Sequence, residues 1–347
     1  MSLSLSTNYL ASSTLFEFSK KIIPPLTHEL HKGQSGRIAV IGGSEEYTGA
    51  PYFSAMSSLK LGADLAHVFC EKKAGVPIKS YSPELIVHPY LQSLERLKKN
   101  NANDIDAKIN EIVEKVSAIF PRLHVLVIGP GLSRDQGLIT TVEKIIEKAK
   151  EVNLPLVIDA DGLFIIQNNP DLIKGYKPAI LTPNVVEFNR LCNKMKIGND
   201  TTRKYQIASK LSQELGNVTI VQKGSTDLVT NGKTIYTCDT RGSVRRCGGQ
   251  GDVLSGAIAT FYAWGKCYQS KNWSHPEEPA FGSDFDEKIP MLASWAGCYI
   301  TRNCSCAAFE KYGRSMTATN MVELIGSVFE NTFEEKDEKF KKFKNKI

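Results

Sequence analysis

Residues 242–252 (GSVRRCGGQGD) set four glycines, two arginines and one carboxylate directly ahead of an apolar segment of helical period. Gly248, Gly249 and Gly251 let backbone N–H groups approach an oxyanion without side-chain interference. The N-terminus of the following helix adds positive potential in the same place. Arg245 and Arg246 supply cations that pair with phosphate oxygens. Asp252 would be a poor phosphate ligand in that setting, and general-base work on an attacking hydroxyl suits it better. The competing reading makes Asp252 a helix cap and the glycines a tight turn. The arginine pair and the helix tilt the balance toward an anion site.

Four further turns carry chemistry-bearing residues after apolar runs. Lys223, Gly224, Ser225, Thr226 and Asp227 (KGSTD) form a Lys-Gly turn that could hold a phosphate by point charge and backbone amide. Alone, that segment reads equally as a surface turn entering a hairpin. In TPNVVEFNR (182–190), Asn184 and Glu187 lie three apart, spaced to orient water or Mg²⁺ near phosphates or to form a capping arrangement. Gly131, in GPG at 129–131, permits close backbone approach, and DADG at 159–162 offers a polar wall or a simple turn. Familiar alternatives fail on spacing. A P-loop ending at Gly232-Lys233-Thr234 would need glycine where Asp227 stands, and Arg134 replaces the third glycine of a dinucleotide fingerprint. HExxH and GxSxG are both missing.

These turns need strands to position them. Apolar runs at 37–41, 67–70, 123–128, 154–158, 179–181 and 218–221 read as buried strands, with a helix expected over 51–66. Ile139, Val142, Ile145, Ile146 and Ala149 recur at three- and four-residue spacing, the stripe of a surface helix. Strand runs alternating with helices imply a parallel sheet covered on both faces. Asn231-Gly232, between two β-rich segments, predicts a type I′ hairpin. The ligands of such sheets gather at the carboxyl ends of the strands, which is where these turns fall.

The 347 residues fit one large α/β domain with peripheral segments: an N-terminal arm (1–30), a catalytic body (31–330) with an inserted surface loop (269–288), and a charged tail (331–347). No apolar run approaches the roughly 18 residues of a membrane span. A net charge of +6 without a block of like charges does not point to nucleic acid, and it suits anionic small molecules. Eight scattered cysteines without a CxxC pair indicate buried thiols and a reducing compartment. The N-terminus lacks a secretory pattern. Its Ser/Thr content with Glu17 and no arginine before Arg37 makes a mitochondrial presequence weaker than a cytoplasmic location.

GGQGD opening a helix, Asn184 three before Glu187, and an α/β pattern without a P-loop resemble the ribokinase-like superfamily. VIGPGL at 127–132, IDADGL at 158–163, LTPNVVEFNRL at 181–191, QKGSTD at 222–227 and GSVRRCGGQGDVLSG at 242–256 narrow the likeness. Together with 33–51, they resemble the ATP-dependent NAD(P)H-hydrate dehydratases of eukaryotic type. The resemblance implies a three-layer α/β/α fold with a mainly parallel central sheet, and ATP-driven dehydration of hydrated NADH and NADPH (NADHX, NADPHX). It implies substrate contacts at Gly131, Asn184, Val185, Val186, Glu187, Phe188, Asn189, Arg190 and Asp252. ATP contacts would fall on Lys223, Gly224, Ser225, Thr226, Asp227, Gly242, Ser243, Val244, Arg245, Arg246, Cys247, Gly248, Gly249, Gln250 and Gly251. Mg²⁺ on the phosphates and functional pairing with an NAD(P)HX epimerase are also implied, while monomer and homo-oligomer both stay open. Two other readings use the same residues: a kinase of a hydroxymethyl thiazole or pyridine vitamin, and a silent nucleotide-binding scaffold. The intact Asp252 and nest argue against the scaffold.

Overall fold

The structure is a computed structural model that describes residues 10–100, 104–198, 204–273 and 285–334. The strands are β1 (Arg37–Ile41), β2 (Leu65–Glu71), β3 (Ile86–Leu91), β4 (Val125–Ile128), β5 (Leu156–Ile158), β6 (Ala179–Leu181), β7 (Thr219–Gln222), β8 (Asp227–Thr230) and β9 (Ile235–Cys238). They form a sheet ordered β3-β2-β1-β4-β5-β6-β7-β8-β9. Pairing is parallel from β3 to β7 and antiparallel through β8 and β9. The helices are α1 (Ser12–Lys21), α2 (Gly49–Leu61), α3 (Gly75–Tyr81), α4 (Leu94–Asn100), α5 (Ile105–Ser117), α6 (Gln136–Glu151), α7 (Asp161–Asn168), α8 (Val185–Lys194), α9 (Lys204–Glu214), α10 (Gln250–Gln269), α11 (Phe285–Tyr312) and α12 (Ala318–Phe333).

Successive strand side chains point to opposite faces, so alternate residues enter two separate cores. Ile38, Val40, Val68, Val127, Val157 and Ile180 join α2, α10, α11 and α12 on one face. Ala39, Ile41, Phe69, Leu126, Ile158 and Leu181 join α5, α6, α7, α8 and α9 on the other. This is the expected α/β/α sandwich. α1 belongs to the first core, where Leu15 and Ile22 are buried and the Phe16 ring stacks 5.1 Å from that of Phe333.

The structure corrects several expected boundaries. The helix expected over 51–66 runs Gly49–Leu61, because Gly62 (φ +122°) leaves the helix and donates back to Leu59 O. The expected two-residue hairpin turn is instead a four-residue loop between Thr230 and Ile235, which pair directly. Asn231 Oδ1 accepts from the N–H groups of Lys233 and Thr234, so only Gly232 adopts positive φ there. β3 carries His88, Pro89 and Tyr90 and lacks an apolar run; it is an edge strand, where proline is tolerated. The segment expected as an inserted loop over 269–288 contributes its last four residues to α11, and 274–284 lie outside the described residues. Of the expected tail, Phe333 is buried and 335–347 lie outside the described residues.

α10, which follows the glycine nest, is held to α2 by small residues. Ser58 Oγ donates to Gly256 O at 3.1 Å, and the Ser54 and Ser255 hydroxyls meet at 3.0 Å. A Cβ on Gly256 would lie 2.1 Å from Ser54 O. Gly256→Ala therefore forces the helices apart. It is expected to cost about 1–3 kcal/mol of stability, read as a lower urea midpoint at unchanged slope.

Candidate active site

The strand order reverses between β1 and β4, and a crevice opens at their carboxyl ends. Gly42 and Gly129 line it because nothing larger fits. A Cβ on Gly42 would fall 2.1 Å from Pro130 O, and one on Gly129, at φ +118°, 1.9 Å from Asp159 O. Gly131 (φ +62°) accepts from Ser44 Oγ through its carbonyl and abuts Tyr47 O, tying this turn to the one after β1.

After β5 the chain turns sharply at Ala160, held at φ +49° and ψ −120°, a conformation that disfavours any side chain. That strain separates two carboxylates. Asp161 accepts from Ser133 N and lies 3.6 Å from Arg134 Nε, whereas the buried Asp159 receives Lys223 Nζ at 2.8 Å. The loop after β7 is fixed by Lys223 N donating to Pro183 O, which brings the KGSTD and TPN turns together. Burial would lower the Lys223 pKa, but Asp159, Glu187 and Asp252 outweigh it and hold the ammonium charged.

The glycine nest closes the site. α10 begins after Gly249 in the left-handed conformation, where Phe53 and Ala318 pack so closely that a Cβ would meet Ala318 Cβ at 2.5 Å. A Cβ on Gly251 would stand 3.6 Å from Lys223 Nζ and 3.7 Å from Asp159 Oδ2. The ammonium–carboxylate pair thus lies against the nest. Asp252 occupies the third position of α10, and Gly249, the N-cap residue, caps with no side chain. Its carboxyl belongs to the charge cluster and does not cap the helix. Asp252 is half-buried, and desolvation with the nearby Asp159 charge pushes its pKa up to about 8 against the opposing pull of Lys223.

The other singled-out residues divide. Val185, Val186 and Val244 are exposed, and Arg190, Arg245, Arg246 and Gly248 open to solvent around the rim. Phe188 is 3% exposed, with its ring in the second core. Asn189 is half-buried beside it. Ser243 Oγ accepts from Arg245 N and donates to Arg245 O, and Gln250 Nε2 donates to Arg245 O and Cys247 Sγ, so side chains of this segment shape its own turn. Both Asp227 oxygens are engaged, one by Gly224 N and one by Arg302. Asp159, Phe53 and Arg302 are site residues that composition and spacing did not single out as ligands. Only the post-strand position of Asp159 offered a signal.

Asn184 and Glu187 form a full capping box on α8, with Asn184 Oδ1 accepting from Val186 N and Glu187 N and Glu187 Oε2 accepting from Asn184 N. The capping alternative thus describes their bonds, and a cation there would meet Glu187 through its second oxygen or through water. Desolvation raises the Glu187 pKa, opposed first by Lys223. Among the described residues no cluster of three His, Cys, Asp or Glu side chains suits a metal ion. A cleft of about 130 Å³ beside Glu187 is lined by Arg134, Asp161, Phe164 and Arg190. A larger cavity of about 200 Å³, between Lys177 and Lys266, sits at the opposite strand ends and holds none of these groups.

The fold is a ribokinase-like α/β/α sandwich. A ribokinase-like superfamily protein from Enterococcus faecalis superposes with a TM-score of 0.71 at 18% identity, covering 96% of this chain and all of that one. The family described as NAD(P)H-hydrate dehydratase matches residues 38–326, and the chain belongs to that family. The ATP-dependent (S)-NAD(P)H-hydrate dehydratase of Rattus norvegicus is 46% identical over 320 residues, 92% of this chain and 85% of the relative. The ADP/ATP-dependent NAD(P)H-hydrate dehydratase of Bacillus subtilis, crystallised with ATP and Mg²⁺, shares the fold with a TM-score of 0.61 at 18% identity, covering 91% of this chain and 97% of that one.

The Asp252 pKa has a measurable sign. Its native value of about 8 exceeds the ordinary 3.8, so the native state binds the proton more tightly. The stabilisation is complete below about pH 4 and is lost as pH rises through 8. Asp252→Asn removes that dependence. The urea-midpoint difference, variant minus wild type, is expected to grow in the variant's favour from pH 4 to pH 8; a flat difference would return Asp252 to an ordinary carboxyl.

Proposed function

We propose that this chain uses ATP to dehydrate the S-epimer of hydrated NADH and NADPH, restoring the dinucleotide and releasing ADP and phosphate. The observation that carries the reading is the Lys223–Asp159 ion pair set against Gly251 of the glycine nest, with Asp252 next to that glycine in the first turn of α10. Family membership and the activity of the rat relative support it.

In this reading the nest amides of Gly248, Gly249 and Gly251, with Lys223, receive the γ-phosphate. The hydrate presents its ring hydroxyl to Asp252. The raised pKa of that carboxyl makes it a stronger base than an ordinary aspartate. Asp252 takes the hydroxyl proton, the oxygen attacks the γ-phosphorus, and ADP departs. The new phosphate ester sits on a carbon next to the ring nitrogen. The nitrogen lone pair expels phosphate, and loss of a proton from the neighbouring carbon restores the double bond. Bound Mg²⁺ would neutralise phosphate charge, with Glu187 and Asn184 meeting it through water.

The cleft lined by Arg134 and Arg190 sets two cations beside Glu187, charges that suit the phosphates of a dinucleotide better than a neutral vitamin. An activity confined to the S-epimer requires a partner epimerase to recover the opposite one. The eight free thiols support a reducing compartment, and of such compartments we place the activity in the cytoplasm ahead of the mitochondrion. Among the described residues, no helix is long and apolar enough to cross a membrane.

Purified protein given NADHX, ATP and Mg²⁺ is expected to return dihydronicotinamide absorbance with ADP and phosphate in equal amount. Asp252→Asn should lower turnover by about two to four orders of magnitude while still binding ATP. Lys223→Met should raise the ATP requirement more than the hydrate requirement. A stable phosphorylated hydroxymethyl vitamin, with no turnover of the hydrate, would instead establish the kinase reading.

A further inference from the structure

The two loops assigned to the nucleotide hang from one face of α11. Arg302 donates from Nε to Asp227 Oδ2 at 2.6 Å, from Nη2 to Gly224 O at 2.7 Å, and from Nη1 to Ser225 O at 2.9 Å and Thr240 O at 3.0 Å. One helical turn on, Ser305 Oγ accepts from Ser243 N at 3.0 Å and donates to Arg302 O at 2.8 Å. Asp227 completes the arrangement by accepting from Gly224 N at 2.9 Å. The pair is sheltered, with 13% of the Arg302 side chain and 9% of the Asp227 side chain exposed.

Peptide planarity turns these bonds into an orientation. In a trans peptide the C=O of one residue and the N–H of the next point in opposite directions. With the carbonyls of Gly224 and Ser225 drawn to the guanidinium, the N–H groups of Ser225 and Thr226 point away from it. Thr240 O and Ser243 N fix the second loop to the same helix, which sets the separation of the two loops. A planar fork with five donors can hold these acceptors together; an ammonium cannot.

We propose that Arg302, assisted by Ser305, is a positioning residue for the nucleotide: it orients the 223–227 amides and holds that loop in register with 242–251. The proposal rests on the reading of these loops as the ATP site. It involves no contact between Arg302 and the reacting atoms.

The test compares wild type, Arg302→Lys, Ser305→Ala and Lys223→Met for steady-state constants and for ATP binding by calorimetry without hydrate. Arg302→Lys keeps a charge beside Asp227 but loses the fork, and is expected to raise the KM and Kd for ATP about tenfold or more. Its kcat and hydrate KM should change by less than about threefold. Ser305→Ala leaves no buried charge unpaired, and so remains informative if the arginine variant folds poorly; it should raise the ATP KM about two- to fivefold. Unchanged ATP constants in Arg302→Lys and Ser305→Ala, alongside weakened ATP binding in Lys223→Met, would overturn the positioning role and leave the ATP site standing. Equal loss on ATP and hydrate would also overturn it, as a purely structural effect. Wild-type protein that neither binds ATP nor turns over NADHX would overturn both.

Discussion

Lys223 is a charged ammonium enclosed by Asp159, Glu187 and Asp252, and much of the crevice is built around keeping it so. Charges removed from water attract and repel strongly. One cation among three carboxylates leaves excess negative potential, which Asp159 and Lys223 relieve by pairing at 2.8 Å and Asp252 relieves by holding its proton. The left-handed Ala160 aims Asp159 at the ammonium, and Gly251 leaves space for both groups against the helix start. A Cβ at 251 would meet both at ordinary van der Waals distance, so the pair lies directly against the backbone of the nest.

Bringing these groups together requires backbone to approach backbone. Gly42 against Pro130, Gly129 against Asp159 and Gly256 against Ser54 each occupy places where a Cβ would lie within 2.1 Å of a carbonyl oxygen. Packing this dense transmits displacement, because the interior has no slack to absorb it. The nest therefore depends on α2 and α12 as much as on its own sequence: Phe53 and Ala318 close over Gly249 from those helices.

The chemistry asks for one hydroxyl, one base and one phosphoryl group in a site that withholds water, since hydrolysis would waste the nucleotide. A kinase and an ATP-driven dehydratase share these needs up to the phosphate ester. Their outcomes part on the substrate, where a ring nitrogen next to the esterified carbon makes phosphate leave. The protein's contribution is position and electrostatics; the elimination is a property of the hydrate.

The sequence by itself determined the alternation of buried strands and amphipathic helices, the post-strand turns and the Gly248-Gly249-Gln250-Gly251-Asp252 nest. These are local patterns, legible because burial has a period of two in strands and 3.6 in helices and because glycine is needed where backbone must approach a ligand. Edge strand β3 escaped notice because its His88 and Tyr90 interrupt the apolar run. Tertiary structure alone decided that Asn184 and Glu187 form a capping box, that Phe188 faces the core, and that Asp227 answers to Arg302, 75 residues away along the chain. It alone brought Asp159 from 64 residues away onto Lys223 and desolvated Asp252, so that burial first and the Asp159 charge second raise the Asp252 pKa. Pairing and desolvation depend on distances between segments far apart in the chain, and those distances exist only once the sheet has set the strand ends side by side.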